Sequence, residues 1–138
     1  MINILIGPKG TGKTKVFIDM VNQAKETEKG NVVCITKGDR HTFDISSSIR
    51  LVNTDDFEIN NIGEFYGLIC GMISQNYDIT HVFVDSITKI TKVTVAEIDT
   101  VIPALEKLSE KFSVDFTIAI SALKEEAGEN IGKYIVNI

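Results

Sequence analysis

The sequence predicts an α/β protein, a three-layer α/β/α arrangement built on a mainly parallel sheet of about five strands, and three observations carry that reading. Ile2 to Ile6, Asn31 to Thr36, Ile49 to Asn53, His81 to Asp85 and Asp115 to Ser121 are near-continuous apolar runs rather than alternating ones, the pattern of strands buried on both faces. Segments with helical spacing of apolar residues lie between them. No repeat, low-complexity tract or linker interrupts the 138 residues, so residues 1 to 138 read as a single domain around one core.

The elements follow in order. The first apolar run stops at Gly7, and Val16, Phe17, Met20, Val21 and Ala24 then recur at helical spacing, predicting a helix from Gly12 to Glu28 with Gly30 as its stop. A second helix is predicted over Ile62 to Ser74, with Phe65, Leu68, Ile69, Met72 and Ile73 on its apolar face. Gly67 and Gly71 share a helix face, which predicts close packing of that face on the sheet. Thr94 and Glu97 fit a capping box opening a third helix that runs to Phe112, its buried face marked by Ile98, Val101, Ile102, Leu105 and Leu108. Pro103 either kinks that helix or marks the first turn of a shorter one. Ala122 to Lys133 reads as helical, and Tyr134 to Val136 as a last strand or the apolar end of that helix. Such alternation implies right-handed crossovers and an open doubly wound sheet, in which ligands sit at the carboxyl ends of the strands.

Bulk properties narrow the function classes. With 43% hydrophobic and 24% charged residues, the composition is that of an ordinary globular domain. A net charge of -5 argues against nonspecific nucleic-acid binding. No apolar run is long enough to span a bilayer, and Met1 to Ile6 is too short for a signal peptide and lacks its basic lead, so a cytoplasmic protein is expected. Cys34 and Cys70 lie far apart in apolar stretches and read as buried reduced thiols. By spacing, neither His41 nor His81 belongs to a ligand cluster.

The chemistry concentrates in Gly7-Pro8-Lys9-Gly10-Thr11-Gly12-Lys13-Thr14. Two fixed glycines followed by Lys and Thr arise by chance in roughly one chain of this length in a few hundred. A loop that wraps a triphosphate must turn its backbone N–H groups inward with no side chain in the way. Gly7, Gly10 and Gly12 permit that approach, Lys13 supplies a point charge for the terminal phosphates, and the Thr14 hydroxyl suits Mg²⁺. Pro8, Lys9, Thr11 and the flanking Lys15 complete the candidate phosphate-binding set, and the helix that follows offers its N-terminal dipole to the same anion. Farther on, the apolar strand His81 to Val84 delivers Asp85 to its carboxyl end. An unpaired buried carboxylate is costly, so Asp85 calls for a metal, a donor or solvent; capping of the next segment by Asp85 or Ser86 is the structural alternative.

With those residues in hand, the chain resembles the P-loop NTPase superfamily, and within it a stripped RecA-type core. The resemblance covers most of the chain as strand order, the loop Gly7 to Thr14, and Asp85. It implies the P-loop NTPase fold, ATP as ligand or substrate, Mg²⁺ held by Thr14 and Asp85, and a γ-phosphate-sensing polar residue at Ser121. Small bacterial P-loop proteins labelled as twitching-motility proteins are also similar, but the N-terminal domain and the acidic and histidine boxes of the pilus retraction ATPases are absent. Thymidine kinases share the loop and the Asp without a zinc-ribbon cysteine set here.

Departures bear on hydrolysis. RecA-type ATPases use a glutamate to polarise water, yet Ser86 occupies the position beside Asp85, which leaves Asp55, Asp56 and Glu58 beyond the third strand as candidates for that catalytic role alongside Lys13. Arg40 and Arg50 are the available arginines. The segments Lys37 to Thr42 and Ser46 to Ser48 read as a lid, a partner surface or a solvated connection. Thr36-Lys37-Gly38-Asp39 imitates a guanine-recognition motif but falls too early in the chain. The expectation is an ATP- and Mg²⁺-binding protein with slow or partner-activated ATPase activity, the activator being a second copy or a protein partner. A nonhydrolysing nucleotide sensor or assembly module is the alternative, and a nucleoside or small-molecule kinase the third.

Overall fold

A computed structural model describes residues 1–39 and 41–136. In chain order the elements are β1 (Ile2–Gly7), α1 (Lys13–Thr27), β2 (Asn31–Thr36), β3 (Arg50–Asn53), α2 (Ile62–Gln75), β4 (Ile79–Asp85), α3 (Ile87–Thr91), α4 (Val95–Phe112), β5 (Asp115–Ser121) and α5 (Glu129–Gly132), with 3-10 turns at Thr54–Phe57 and Lys124–Glu126. The strands form one five-stranded sheet in the order β1-β5-β4-β2-β3, and every pairing is parallel.

Both faces of the sheet are covered, which is why the strands are apolar along their length. On one face Leu5, Cys34, Phe83 and Ala119 pack under Phe17, Val21 and Ala24 of α1 and against Ile45 and Ile49 of the β2–β3 connection. On the other, Ile4, Ile6, Ile35, Val84, Ile118 and Ile120 meet α2, α3, α4 and α5 through Phe65, Ile69, Ile90, Ile102 and Ile131. Phe17 is fully buried and meets the Phe83 ring edge-on at 5.8 Å. Its burial contributes about 1.5–3 kcal/mol, and the ring contact roughly 1 kcal/mol more.

Several local expectations change. Gly67 and Gly71 lie on the exposed side of α2, where an added Cβ meets nothing within 4 Å, so they make no close approach to the sheet. Thr94 caps α4 as its sequence implies, accepting from Glu97 N at 3.3 Å, and the helix runs unbroken through Pro103. Pro103 has no N–H for the Asp99 carbonyl one turn back; Asn130 Nδ2 donates to that carbonyl instead, at 3.2 Å. The Asp99 carboxylate accepts from Ile131 N at 2.8 Å, and Gly128 packs so closely on it that a Cβ there would stand 2.5 Å from Asp99 Cγ. The tail is thus a 3-10 turn and the short α5 rather than one helix. Beyond it, Ile135 makes a single parallel bridge to Ile4, on the outer edge of β1, with Ile4 N donating to Tyr134 O and Val136 N to Ile4 O. Of the thiols, Cys34 is buried but Cys70 is half-buried.

Gly30 turns α1 into β2 against the start of β4, and a methyl group there would overlap the Asp78 carbonyl oxygen and Thr80 Cγ2. Gly30→Ala is expected to destabilise the fold by about 1–3 kcal/mol in urea unfolding. By contrast, Gly67→Ala, on the open face of α2, should stabilise it by up to about 1 kcal/mol; equal effects of the two changes would refute this placement.

Candidate functional site

The exits of β1, β5 and β4 lie side by side at one end of the sheet. Because β5 separates β1 from β4, the backbone ends at Gly7 and Asp85 stand two strand spacings apart, about 10 Å. The loop after β1 turns through two left-handed glycines, Gly10 (φ +86°) and Gly12 (φ +82°). Thr11 Oγ1 donates to Pro8 O at 2.8 Å across that turn, holding it closed. Gly12 caps α1 without any side-chain hydrogen bond, and the helix begins at Lys13 and Thr14.

Lys13 is buried, although Pro8 to Gly12 and Thr14 around it are exposed. Its Nζ donates to Ser121 Oγ at 3.1 Å. That contact follows from register, since Ser121 pairs with Gly7 across β1 and β5. Asp85, 4% exposed, faces the same space. Its Oδ2 lies 2.8 Å from Nε2 of His41, itself 3% exposed and tilted against Phe17 at 6.2 Å. Ser86, the N-cap residue of α3, makes no side-chain capping hydrogen bond. Buried burden at this end reaches Cys34, whose thiol is pushed far up by burial and, secondarily, by the Asp85 charge; it stays protonated and inert.

These groups line one cavity of about 240 Å³, whose walls are Pro8, Lys9, Gly10, Gly12, Lys13, Thr14, Asp85, Ser121 and Lys89 of α3. Gly7 and Thr11 support the loop from behind. Lys15 points elsewhere, its Nζ 3.3 Å from Asp19 Oδ2 on the exposed side of α1. A larger cleft of about 470 Å³ lies at the foot of β2 and β3, lined by Arg50, Leu68 and Met72 among others. It lacks any carboxylate among its described walls, so size does not make it the chemical site.

No protein-family model matches the chain, and no curated protein matches it either. Geometry therefore carries the assignment. Pro8, Lys9, Gly10, Gly12, Lys13 and Thr14 are brought together with Asp85 and Ser121 from separate parts of the chain.

The acidic candidates beyond β3 are not brought in. Asp55, Asp56 and Glu58 are exposed on the 3-10 turn after the edge strand, two strands away from β4. Asp55 is ion-paired with Lys37, and its N–H is capped by Asn53. None of the three lines the cavity. Arg40 lies outside the described residues, and Arg50 lines the larger cleft.

Sequence reading missed His41 and Lys89. His41 sits in a polar connection that Asn22 staples to α1, its Nδ2 donating to Asp44 O and its Oδ1 accepting from Ser46 N. The available signal was apolar Ile45 and Ile49 inside a polar stretch, which shows that the connection folds inward. For Lys89 it was a basic residue one helical turn past Asp85. Replacing His41 by Leu removes a hydrogen-bond partner from a buried carboxylate, and His41→Leu should cost about 1–3 kcal/mol in urea unfolding. In an Asp85→Asn background the same change should cost clearly less; equal costs in both backgrounds would separate the two residues energetically.

Proposed function

We propose that the chain is a P-loop NTPase-type protein of RecA-like arrangement that binds ATP with Mg²⁺ in the cavity between the β1 and β4 exits. The observation that carries this reading is a buried lysine at the floor of a glycine loop, held by the serine of an intervening strand and facing a buried aspartate. A buried ammonium tolerates that position when anions neutralise it, and the N-terminus of α1 opens on the same cavity at Lys13 and Thr14, where the helix dipole favours an anion. Transfer of Lys13 from Ser121 Oγ to a terminal phosphate leaves the serine hydroxyl facing that phosphate, the role the resemblance assigns to it.

Thr14 and Asp85 would hold Mg²⁺. Their fit rests on a hydroxyl and a carboxylate that share one cavity wall, oxygen donors suited to a hard cation. When bound, the ion supplies positive charge to the phosphates. His41 holds the Asp85 carboxylate in place from the opposite side. A cavity of about 240 Å³ is smaller than the pockets that enclose whole drug-sized ligands. It is sized for phosphates and metal, with sugar and base lying outside, so base identity is set by surfaces beyond this cavity.

Binding and hydrolysis separate here. The distance of Asp55, Asp56 and Glu58 from the cavity supports slow or partner-activated turnover, and equally favours the second reading, a nucleotide sensor or assembly module that does not hydrolyse. A kinase would need an acceptor pocket beside the phosphates, which the described residues do not supply.

Titration calorimetry with Mg²⁺ and ATP tests the site: Lys13→Ala should weaken binding at least tenfold, or about 1.4 kcal/mol. Unchanged affinity would remove the assignment. Phosphate release measured over a protein concentration series then divides the two readings. Turnover abolished by Glu58→Gln or Asp55→Asn supports an ATPase that uses that carboxylate, and turnover that rises faster than protein concentration supports a residue supplied by a second copy. No release at any concentration leaves the sensor.

A further inference from the structure

At the end of the sheet remote from the phosphate loop, three ligating side chains from distant parts of the sequence converge. His81 lies in β4, Asp115 is its register partner at the start of β5, and Glu28 follows the last turn of α1. One ligand atom from each lies within 4.8 Å of the others, and His81 Nδ1 is 3.9 Å from Glu28 Oε1. The run of β5 from Asp115 to Ser121 puts this cluster about 20 Å from the phosphate end. Spacing in the sequence gave no hint of this grouping, which the tertiary fold brings together.

The imidazole carries the argument. His81 is 9% exposed, stacks on Phe83 at 4.1 Å, and places Nε2 2.8 Å from Thr117 Oγ1. Nδ1 is buried without a hydrogen-bond partner, and such an atom in a folded protein requires an explanation. At 3.9 Å, Glu28 is beyond hydrogen-bond reach of it. With Nε2–H donated to Thr117, the Nδ1 lone pair is left available beside the Glu28 carboxylate. That is how a metal-binding histidine is held: one nitrogen oriented by a hydrogen bond, the other free to ligate. A cleft of about 170 Å³ reaches Glu28 and His81 from solvent past Gln23 and Thr27.

We propose that Glu28, His81 and Asp115 form a binding site for a divalent transition-metal ion of the zinc class. One imidazole nitrogen with two carboxylate oxygens suits zinc and its neighbours, whereas Mg²⁺ and Ca²⁺ take oxygen ligands. Ligand bonds of about 2.0–2.2 Å in a tetrahedron place the ligand atoms roughly 3.4 Å apart, so the cluster must contract by about 1 Å. The carboxylates can supply that movement, since the Glu28 and Asp115 side chains are 23% and 41% exposed. Asp115 also accepts a hydrogen bond from the Met1 amino group at 3.0 Å, which competes with the ion for one carboxylate. Water would complete the coordination shell. Bound there, the ion ties the end of α1 to β4 and β5.

Titration of the metal-free full chain with zinc chloride, without nucleotide, tests the site. One equivalent should bind, and Glu28→Gln and Asp115→Asn should each weaken it tenfold or more. His81→Gln, whose amide can still reach Thr117, should abolish it; if that variant fails to fold, the two carboxylate variants decide alone. Substitution with Co²⁺ should give visible absorption bands without thiolate charge transfer. No saturable uptake at micromolar zinc, uptake that survives both carboxylate variants, uptake abolished by His41→Asn, or a cobalt–thiolate band from Cys34 or Cys70 would each overturn the proposal.

Discussion

Five parallel strands need a cover on each face, because their connections cross over the sheet and their side chains have no wet side. In this chain the cover is unequal. One long helix and a folded connection shield one face, while four helices shield the other. The interior of every central strand is therefore unavailable to charge, and Asp85 lies at the end of its strand. Lys13 and Asp85 are both buried there. They tolerate burial because Ser121 and His41 meet them in hydrogen-bonded pairs, and those partners come from elements that the sheet order places beside them.

The same order explains how a cleft opens at that end. β5, last of the strands to be made, is inserted between β1 and β4. Without it the glycine loop and Asp85 would be adjacent, with no room for a cavity between them. Insertion widens the gap by one strand spacing and supplies a hydroxyl at its centre. It also aligns β5 with β1 over six residue pairs, Ile2 with Phe116 through Gly7 with Ser121, so the position of the Lys13 partner is fixed by backbone register rather than by side-chain freedom.

Much of this was legible in the residues. Continuous apolar runs such as Val32 to Ile35 and Val82 to Val84 announce strands covered on both sides, and the observed strands differ from the expected ones by no more than a few end residues. The glycine loop and Asp85 announce themselves because their chemistry depends on residue type at short range. What stayed hidden depends on direction or distance. Helical spacing shows that Gly67 and Gly71 share a face but not which way that face points. α3 spans five residues, too few for a periodicity to register. His41 and His81 acquire their surroundings only through the tertiary fold, Asp85 as hydrogen-bond partner for one, and for the other Thr117 as partner with Glu28 and Asp115 nearby. Pro103 looked like an interruption because the donor that replaces its missing N–H lies in a different helix.

That replacement bears on the order in which the protein closes during synthesis. α4 leaves the ribosome with one carbonyl in its second turn lacking a helical donor, and the strand made first, β1, leaves with an outer edge open to pairing with other chains. Asn130 supplies the donor, and a few residues later Ile135 covers the edge at Ile4. The outer edge of β1 thus stays open at Ile4 until residues 130–136 have been made, and one short segment then supplies both the helix's missing donor and the edge contact.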